Sequence, residues 1–372
     1  MIERAYVTGA RAGQGLSDLN ALVARLSQRF VSAGAEAVEP PSLLPAATLL
    51  DIYGEDIRGR AYITRDSAGE QVLRPDFTVP LVEWYLRQGG APSPARYAYA
   101  GPVWRQQSGD AAKREQLQAG FEFFGDARVE AADAQAFALV CDSVGLGPGA
   151  ALRGSDGLQL VTGDLGLILA AVDGLETSAA RRAALRRHVW RPGRFQRLLD
   201  QYGPGHGAWV AARKTHGPRT AIGVRSAGDV EDRLALLEEE AATPPLAPAQ
   251  TGALLDVLNL GGSLRDAAVE LPRLSADLPG LAPASARFEA RLDALAEAGF
   301  DPSAIPFEGT YGRTSLEYYD GFVFGVVAPA RPDLPVLASG GRYDRLLAAL
   351  GQAGRAVGGS VRPEALLSWG RG

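Results

Sequence analysis

Residues 96–105 read RYAYAGPVWR, and residues 118–125 read QAGFEFFG. Apolar and aromatic side chains recur at alternate positions in both stretches, which predicts two paired β-strands. The first strand is expected to stop at Pro102, because proline cannot donate to the ladder of hydrogen bonds. Both strands carry a charge, Arg105 in the first and Glu122 in the second. A buried charge is costly unless it is paired or meets a polar ligand.

The elements on either side of this pair follow the same kind of pattern. Residues 60–65 and 71–73 are predicted to form a hairpin, and Pro40 and Pro41 interrupt a short strand before it. Later strands are predicted at 313–328 and 333–339, followed by a glycine-rich turn, a last strand and a helix. Helices are predicted over 76–87 and 130–144, and amphipathic helices over 284–298 and over 17–34, with Ser17 as N-cap and Gly34 as C-cap.

The order of the elements is strand-rich, then helical, then strand-rich. This order predicts an α+β fold, in which one antiparallel sheet is divided by a helical insertion. The expected boundaries place a core over 1–175 and 280–372, and a mainly helical insertion over 176–279. The run RRAALRR at 181–187 is expected to be a charged, solvated helix face.

Composition excludes several classes of protein. The 372 residues carry a net charge of −5, whereas dedicated nucleic-acid binders normally present a basic field. The single cysteine, Cys141, excludes a disulfide framework and is expected to be a small buried residue. The three histidines, at 188, 206 and 216, are expected on the surface and not at a metal. No signal-peptide or membrane-spanning pattern is evident, so the protein is expected in the cytoplasm, without a metal or cofactor.

Three further segments place polar or charged groups among apolar residues: LRPDFTVP (73–80), RTSLEYYDGFVF (313–324) and SGGRYDRL (339–346). Asp76 and Arg342, like Arg105 and Glu122, need partners or a polar ligand. Any one of these segments alone could be explained by a structural ion pair. Four such segments in one chain, counting the strand pair, make structural ion pairs alone a poorer explanation.

These segments resemble the core of class II aminoacyl-tRNA synthetases, and within that class the histidyl-tRNA synthetase group. LRPDFTVP is similar to that group's amino-acid loop, and GPVWR with QAGFEFFG is similar to its motif 2. EYYDGFVF and SGGRYDRL resemble its two histidine-specific signatures, and the Pro41 region is weakly similar to the dimer-forming motif 1. The resemblance covers about 1–150 and 285–370.

The resemblance implies an antiparallel sheet, a homodimer and a pocket for histidine. The residues carried over to that pocket are Asp76, Thr78, Arg105, Gln118, Glu122, Tyr319 and Tyr343. Carboxylate and amide oxygens can receive an ammonium group and an imidazole N–H, while tyrosine rings pack against the imidazole. Asp76 stands where the synthetases carry glutamate, and its side chain is one methylene shorter.

The groups that would bind ATP depart from the family pattern. Gln107 and Gln116 stand where the synthetases carry a glutamate and a phenylalanine that contact adenine. Ala365 stands at the arginine of motif 3, and Thr314 at the histidine-specific catalytic arginine. Arg313 is one residue away from the latter position, so on a strand its side chain would point to the other face. Arg362 lies near the former position, beside Pro363.

A synthetase-like core that lacks these groups resembles the regulatory subunits of ATP phosphoribosyltransferase. The expected end of the chain after the motif 3 helix, with no anticodon-binding domain, agrees with that family and makes tRNA an unexpected partner. The resemblance implies a non-catalytic role in the first step of histidine biosynthesis, in a hetero-oligomer with a short-form catalytic subunit and with feedback by histidine. Two alternatives stay open: an active histidyl-tRNA synthetase-like enzyme that activates an amino acid, and a stand-alone histidine-sensing or RNA-associated paralogue.

Overall fold

The computed structural model describes residues 10–46, 59–90, 94–106, 114–150, 157–204, 227–313 and 318–370. Two sheets lie in these ranges, one of nine strands and one of three. The strands are β1 (Glu36–Ala37), β2 (Leu43–Pro45), β3 (Ile63–Asp66), β4 (Gly69–Leu73), β5 (Ala95–Trp104), β6 (Glu115–Phe124), β7 (Gln159–Asp164), β8 (Gly261–Ser263), β9 (Pro306–Glu308), β10 (Phe322–Val327), β11 (Ala338–Arg342) and β12 (Ala356–Val361).

Helices flank the large sheet. They are α1 (Gly13–Ser32), α2 (Thr78–Arg87), α3 (Val129–Ser143), α4 (Leu165–Asp173), α5 (Ala179–Arg187), α6 (Pro192–Tyr202), α7 (Ala227–Ala242), α8 (Pro248–Asn259), α9 (Leu264–Asp277), α10 (Ala282–Glu297), α11 (Asp344–Ala349) and α12 (Pro363–Gly370). A short 3₁₀ turn, Pro279–Leu281, precedes α10.

The large sheet has the order β1-β5-β6-β12-β11-β10-β7-β9-β8, and the small one has the order β2-β4-β3. Most neighbours run antiparallel, while the β1–β5 and β7–β9 pairs are parallel. The predicted α+β class, with a mainly antiparallel sheet flanked by helices, is therefore confirmed. The two parallel pairs lie towards the edges of the sheet.

Strand β6 shows why one face of the sheet becomes a site. Ala119, Phe121 and Phe123 belong to the large apolar core that α1 and α3 cover. Gln118 and Glu122 alternate with them and face the other side, as the period of a strand requires. The same strand thus carries both the core and the polar groups of a cavity.

Two strand predictions were wrong in their limits. Strand β5 runs through Pro102 to Trp104. Strand β1 pairs with it only at Tyr97 and Ala98, so the missing N–H of Pro102 removes no hydrogen bond to β1. The SGGR segment is part of β11 and not a turn. Its glycines allow close strand contact, since a Cβ at Gly340 would lie 2.4 Å from the carbonyl oxygen of Gly358.

Helix α1 begins at Gly13, so Ser17 is not its N-cap; the Ser17 hydroxyl instead donates to the carbonyl of Gly13. Gly34 follows the end of the helix with a φ of +89°, a conformation that glycine adopts readily. Strand β10 starts at Phe322, well after the predicted start at 313. The hairpin β3–β4 and the break at Pro40 and Pro41 agree with prediction.

The division into a core and an insertion stays a prediction, but two contacts describe the segment 176–279. Strand β8 pairs with β9 and so extends the edge of the large sheet. The arginine run is not wholly solvated: Arg181 is fully buried, pairs with Glu240 at 2.7 Å and donates to the carbonyl of Pro244. An arginine in a helix whose sequence suggests an exposed face can still be buried when several acceptors surround its guanidinium.

A buried ion network joins the sheet to its helices. Asp133 on α3 accepts hydrogen bonds from Arg291 on α10 at 2.9 Å and from Arg342 on β11 at 2.8 Å. Arg291 also pairs with Asp164 at 2.6 Å. Arg342 therefore has the partners that its sequence context required. Cys141 is buried, as predicted. None of the described helices is both long and apolar enough to cross a membrane.

Candidate binding site

A cavity of about 180 Å³ opens on the polar face of the large sheet. Six of the seven predicted site residues line it: Asp76, Thr78, Arg105, Gln118, Glu122 and Tyr319. The seventh, Tyr343, is buried behind the wall and donates a hydrogen bond to Glu122. The four sequence segments that carry these residues thus converge on one place, although they are up to about 270 positions apart in the chain.

Glu122 is the centre of the hydrogen bonds at the closed end of the cavity. The hydroxyl of Thr78 donates to its Oε1 at 2.8 Å, and that of Tyr343 donates to its Oε2 at 2.5 Å. Tyr318 in turn donates to the Thr78 hydroxyl at 3.3 Å. Both carboxylate oxygens are therefore oriented by side chains from other elements, and the group is preorganised to receive a donor from a ligand.

Glycines make the room that these side chains occupy. Gly358 on β12 lies opposite Glu122 in the sheet, and a Cβ there would lie 1.6 Å from Glu122 Oε2. A Cβ at Gly325 would meet the hydroxyl of Tyr311 at 1.9 Å. The glycine-rich sequence of β12 is therefore required by the side chains of the site as well as by the strand pairing of the sheet.

Asp76 lies at the start of α2, where its Oδ1 accepts the backbone N–H of Val79 at 3.4 Å. The loop before it is fixed to the end of β5. Arg74 donates to the carbonyl of Pro102 at 3.0 Å, and Arg105 donates to the carbonyl of Pro75 at 2.7 Å. These bonds position Asp76 in the cavity wall near Glu122, whose pKa it affects.

Tyrosine rings form one side of the cavity. The rings of Tyr318 and Tyr319 lie 5.0 Å apart, and each lies at a steep angle to Tyr343, at 5.7 and 6.4 Å. Burial raises the pKa of each of these hydroxyls, so they remain neutral donors. The cluster is a surface on which a planar ring can pack.

Sequence reasoning missed several residues of the wall, among them Tyr99, Tyr311, Tyr318 and Ser360. Tyr99 could have been found, because it lies opposite Gly120 in the β5–β6 register and so shares the face of Gln118 and Glu122. Tyr318 is the first tyrosine of the EYYDG segment. Tyr311 lies in a turn, and no pattern in the sequence places it.

The two arginines considered as replacements for lost groups have different positions. Arg313 is turned away from the cavity: its Nε donates to the carbonyl of Val189 at 2.6 Å, and its guanidinium lies over the ring of Phe195. Arg313 lies in a turn and not on a strand, so the prediction from strand alternation does not apply to it. Its side chain nevertheless points away from the cavity. Arg362 lines the cavity, between β12 and α12, and its proximity to Pro363 does not prevent this.

The remaining departures from the synthetase pattern can be placed in part. Ala365 is buried in α12 and carries no charge into the cavity. Gln116 pairs with Val103 in the β5–β6 ladder and is not part of the cavity wall. Gln107 and Thr314 lie outside the described residues. Of the positions described, Ala365 supplies no polar side chain, and Gln116 lies outside the residues that line the cavity.

Burial raises the pKa of Glu122 to about 8, against the lowering effect of the hydrogen bonds from Tyr343 and Thr78, with the charge of Asp76 adding to the rise. An unfolded glutamate titrates near 4.5. Between these values the unfolded chain releases a proton that the folded chain keeps. The contribution of this group to the free energy of unfolding is therefore complete below about pH 4.5 and falls, by at most about 1.4 kcal/mol per pH unit, until about pH 8.

This titration predicts a pH dependence that Glu122→Gln removes. For the protein without ligand, the melting temperature of the wild type, relative to that of Glu122→Gln, should fall from pH 5 to pH 8 and then level off. Thermal melts at four pH values measure it, with the exposed Glu115→Gln, on the same strand, as control. A difference that is constant with pH would contradict a raised pKa at Glu122.

Comparison with known proteins shows which family this chain is similar to. The family model of histidyl-tRNA synthetase matches residues 14–196 and 225–366. A curated protein of Brucella anthropi named ATP phosphoribosyltransferase regulatory subunit is 32% identical over 360 residues, covering 89% of this chain and 91% of that protein. A protein of Brucella canis with the same name is 32% identical over 367 residues, with 89% and 91% covered.

Solved structures agree in fold. One is described as an ATP phosphoribosyltransferase regulatory subunit/histidyl-tRNA synthetase from Bacillus halodurans; it superposes with a TM-score of 0.68 at 21% identity, over 99% of this chain and 83% of that one. A histidine–tRNA ligase subunit from Alicyclobacillus acidocaldarius gives 0.59 at 22%, over 98% and 97%. A histidyl-tRNA synthetase from Nostoc sp. PCC 7120 gives 0.61 at 18%, over 94% and 70%.

Proposed function

The chain belongs to the family of ATP phosphoribosyltransferase regulatory subunits, on the histidyl-tRNA synthetase fold, and from this premise we propose how it acts. It associates with a short-form catalytic subunit in the cytoplasm and supports the first step of histidine biosynthesis without chemistry of its own. Histidine binds in its synthetase-like cavity and carries the feedback signal.

One observation carries the proposal: the amino-acid half of the synthetase site is assembled, while the nucleotide half is depleted. Asp76, Thr78, Gln118, Glu122 and Tyr319 line one cavity. In contrast, the motif 3 position is the buried Ala365, and Arg313 is bound to the carbonyl of Val189. A site of this kind can hold an amino acid, whereas two positions at which the synthetases place an arginine for the reacting α-phosphate carry Thr314 and Ala365.

The chemistry of the cavity suits histidine in particular. Glu122 offers an oriented carboxyl group whose ionised form a bound imidazolium or ammonium group would favour, and Asp76 offers a second carboxyl group. Gln118 adds an amide beside them, and the rings of Tyr318 and Tyr319 provide a packing surface for the imidazole. The volume of about 180 Å³ is below the roughly 300–1,000 Å³ of sites for drug-sized ligands, which favours a single amino acid over a nucleotide.

Regulation requires that histidine bind two states of the assembly with different affinity. The cavity provides a coupling route, because its wall joins distant parts of the fold. Glu122 on β6, Thr78 on α2 and Tyr343 before α11 are linked by direct hydrogen bonds. A ligand that changes these bonds acts on three elements at once.

The proposed core of the assembly is a homodimer. Two large apolar side chains of the small sheet are each about half exposed: Leu43, which follows the Pro40–Pro41 segment that is similar to motif 1, and Ile63 on the other edge strand. Exposed apolar groups beside a strand edge are a common feature of subunit interfaces.

The experiment that tests the proposal is reconstitution with a short-form ATP phosphoribosyltransferase catalytic subunit from the same organism. The two chains are expected to co-elute in size-exclusion chromatography, and the rate of phosphoribosyl transfer at saturating substrates should rise when this chain is added. The isolated chain should show no transfer. Failure to associate, together with an unchanged rate, would favour a stand-alone histidine-sensing paralogue.

A further inference from the structure

The cavity wall carries cationic side chains as well as acidic ones. Arg105, at the end of β5, and Arg362, between β12 and α12, line the same cavity as Asp76 and Glu122. The pKa of Arg362 is also influenced by three tyrosines close to it, Tyr311, Tyr319 and Tyr99. The cavity therefore presents positive and negative groups to one small volume.

Both arginines are held by backbone carbonyls and not by carboxylates. Arg105 donates through Nε to Pro75, and Arg362 donates through Nη1 to Val336. Among the residues that the structure describes, no aspartate or glutamate lies within 4.0 Å of either guanidinium. Each contact fixes the side chain, and within the described part of the chain no carboxylate compensates its charge.

Two like charges beside one cavity favour an anionic ligand. Burial, and secondly the charge of Arg105, lowers the pKa of Arg362 to about 10, so Arg362 remains charged at neutral pH. Placing a cation in a protein wall without a counter-charge is costly, and a ligand anion removes that cost. A guanidinium matches a carboxylate with two parallel hydrogen bonds.

We propose that Arg362, together with Arg105, binds the α-carboxylate of the amino acid, in the same cavity as the carboxylates that receive its cationic groups. This inference rests on the proposed function, in which histidine occupies the cavity. Arg362 is then a specificity-determining residue, since it makes the site select a zwitterionic amino acid over the corresponding amine.

Calorimetry with histidine and with histamine, which lacks the carboxylate, tests this assignment in the reconstituted complex. Wild type should bind histidine about tenfold to a hundredfold more tightly than histamine, the range for a hydrogen bond to a charged group. Arg362→Met should lose that preference by weakening histidine alone. Arg362→Lys, which keeps the charge but not the paired donors, should fall between them. Arg331→Met is the control, because Arg331 pairs with Asp333 away from the cavity.

The outcomes separate this inference from the function it rests on. If wild type binds histidine and Arg362→Met keeps the histidine preference, the assignment of Arg362 is wrong while the histidine pocket stands. Equal weakening of histidine and histamine would show a structural role and would also overturn it. If AMP displaces histidine from wild type but not from Arg362→Met, the arginine serves a phosphate. No histidine binding by wild type would contradict the proposed function itself.

Discussion

Glu122→Gln is expected to weaken histidine binding by about a hundredfold, which corresponds to about 2.7 kcal/mol. The carboxylate of Glu122 is buried and is held by the hydroxyls of Thr78 and Tyr343, so water cannot replace its contact with a ligand. The amide has nearly the same volume but no charge, and it presents an N–H where the wild type has an acceptor. Glu122→Ala should weaken binding at least as much.

Isothermal titration of histidine into the wild type and the variants measures this effect. Glu115→Gln is the matched control, since Glu115 lies on the same strand but is exposed, and its affinity should equal that of the wild type. Melting temperatures show whether a variant is folded. A folded Glu122→Gln protein with wild-type affinity would exclude this cavity as the histidine site.

ATP–pyrophosphate exchange with histidine is expected to be at least about ten-thousandfold slower than that of an active histidyl-tRNA synthetase. Loss of one transition-state charge contact costs about a hundredfold to a thousandfold, and two such positions carry threonine and alanine here, at 314 and 365. The surviving Arg105 lies in the cavity, but it is bonded to the carbonyl of Pro75.

The exchange assay needs an active histidyl-tRNA synthetase as positive control at the same protein and histidine concentrations. Arg362→Met serves as a second comparison, because Arg362 is the cavity arginine that could replace a lost one. Exchange within tenfold of the synthetase, abolished in Arg362→Met, would show that the chain is an amino-acid-activating enzyme.

Much of the site was predictable because residue chemistry and strand period agree. Charged residues in apolar strands need partners, and Glu122 and Arg342 both have them. The side of β6 that Gln118 and Glu122 share follows from alternation alone. Their convergence with Asp76 and Tyr319, from distant segments, came from the family resemblance and not from any local pattern.

The features that the sequence did not reveal depend on tertiary contacts. Arg362 looked excluded by Pro363, yet the chain leaves β12 at a point where the side chain lines the cavity. Arg181 lies in a helix whose sequence suggests an exposed face. Helix α7 and the segment after it nevertheless surround its guanidinium with hydrogen-bond acceptors. Gly340 looked like a turn residue, although its lack of a side chain serves a crowded strand pairing. In each case the deciding neighbour lies far away in the sequence.

The central claim is that histidine acts through this cavity on the catalytic partner. The most direct measurement is the rate of phosphoribosyl transfer by the reconstituted complex as histidine is added, with wild-type chain and with Glu122→Gln. We expect both complexes to be active without histidine, the wild-type complex to be inhibited, and the variant to need about a hundredfold more histidine for the same inhibition. Equal inhibition of both complexes would contradict the claim, because histidine would then act at another site.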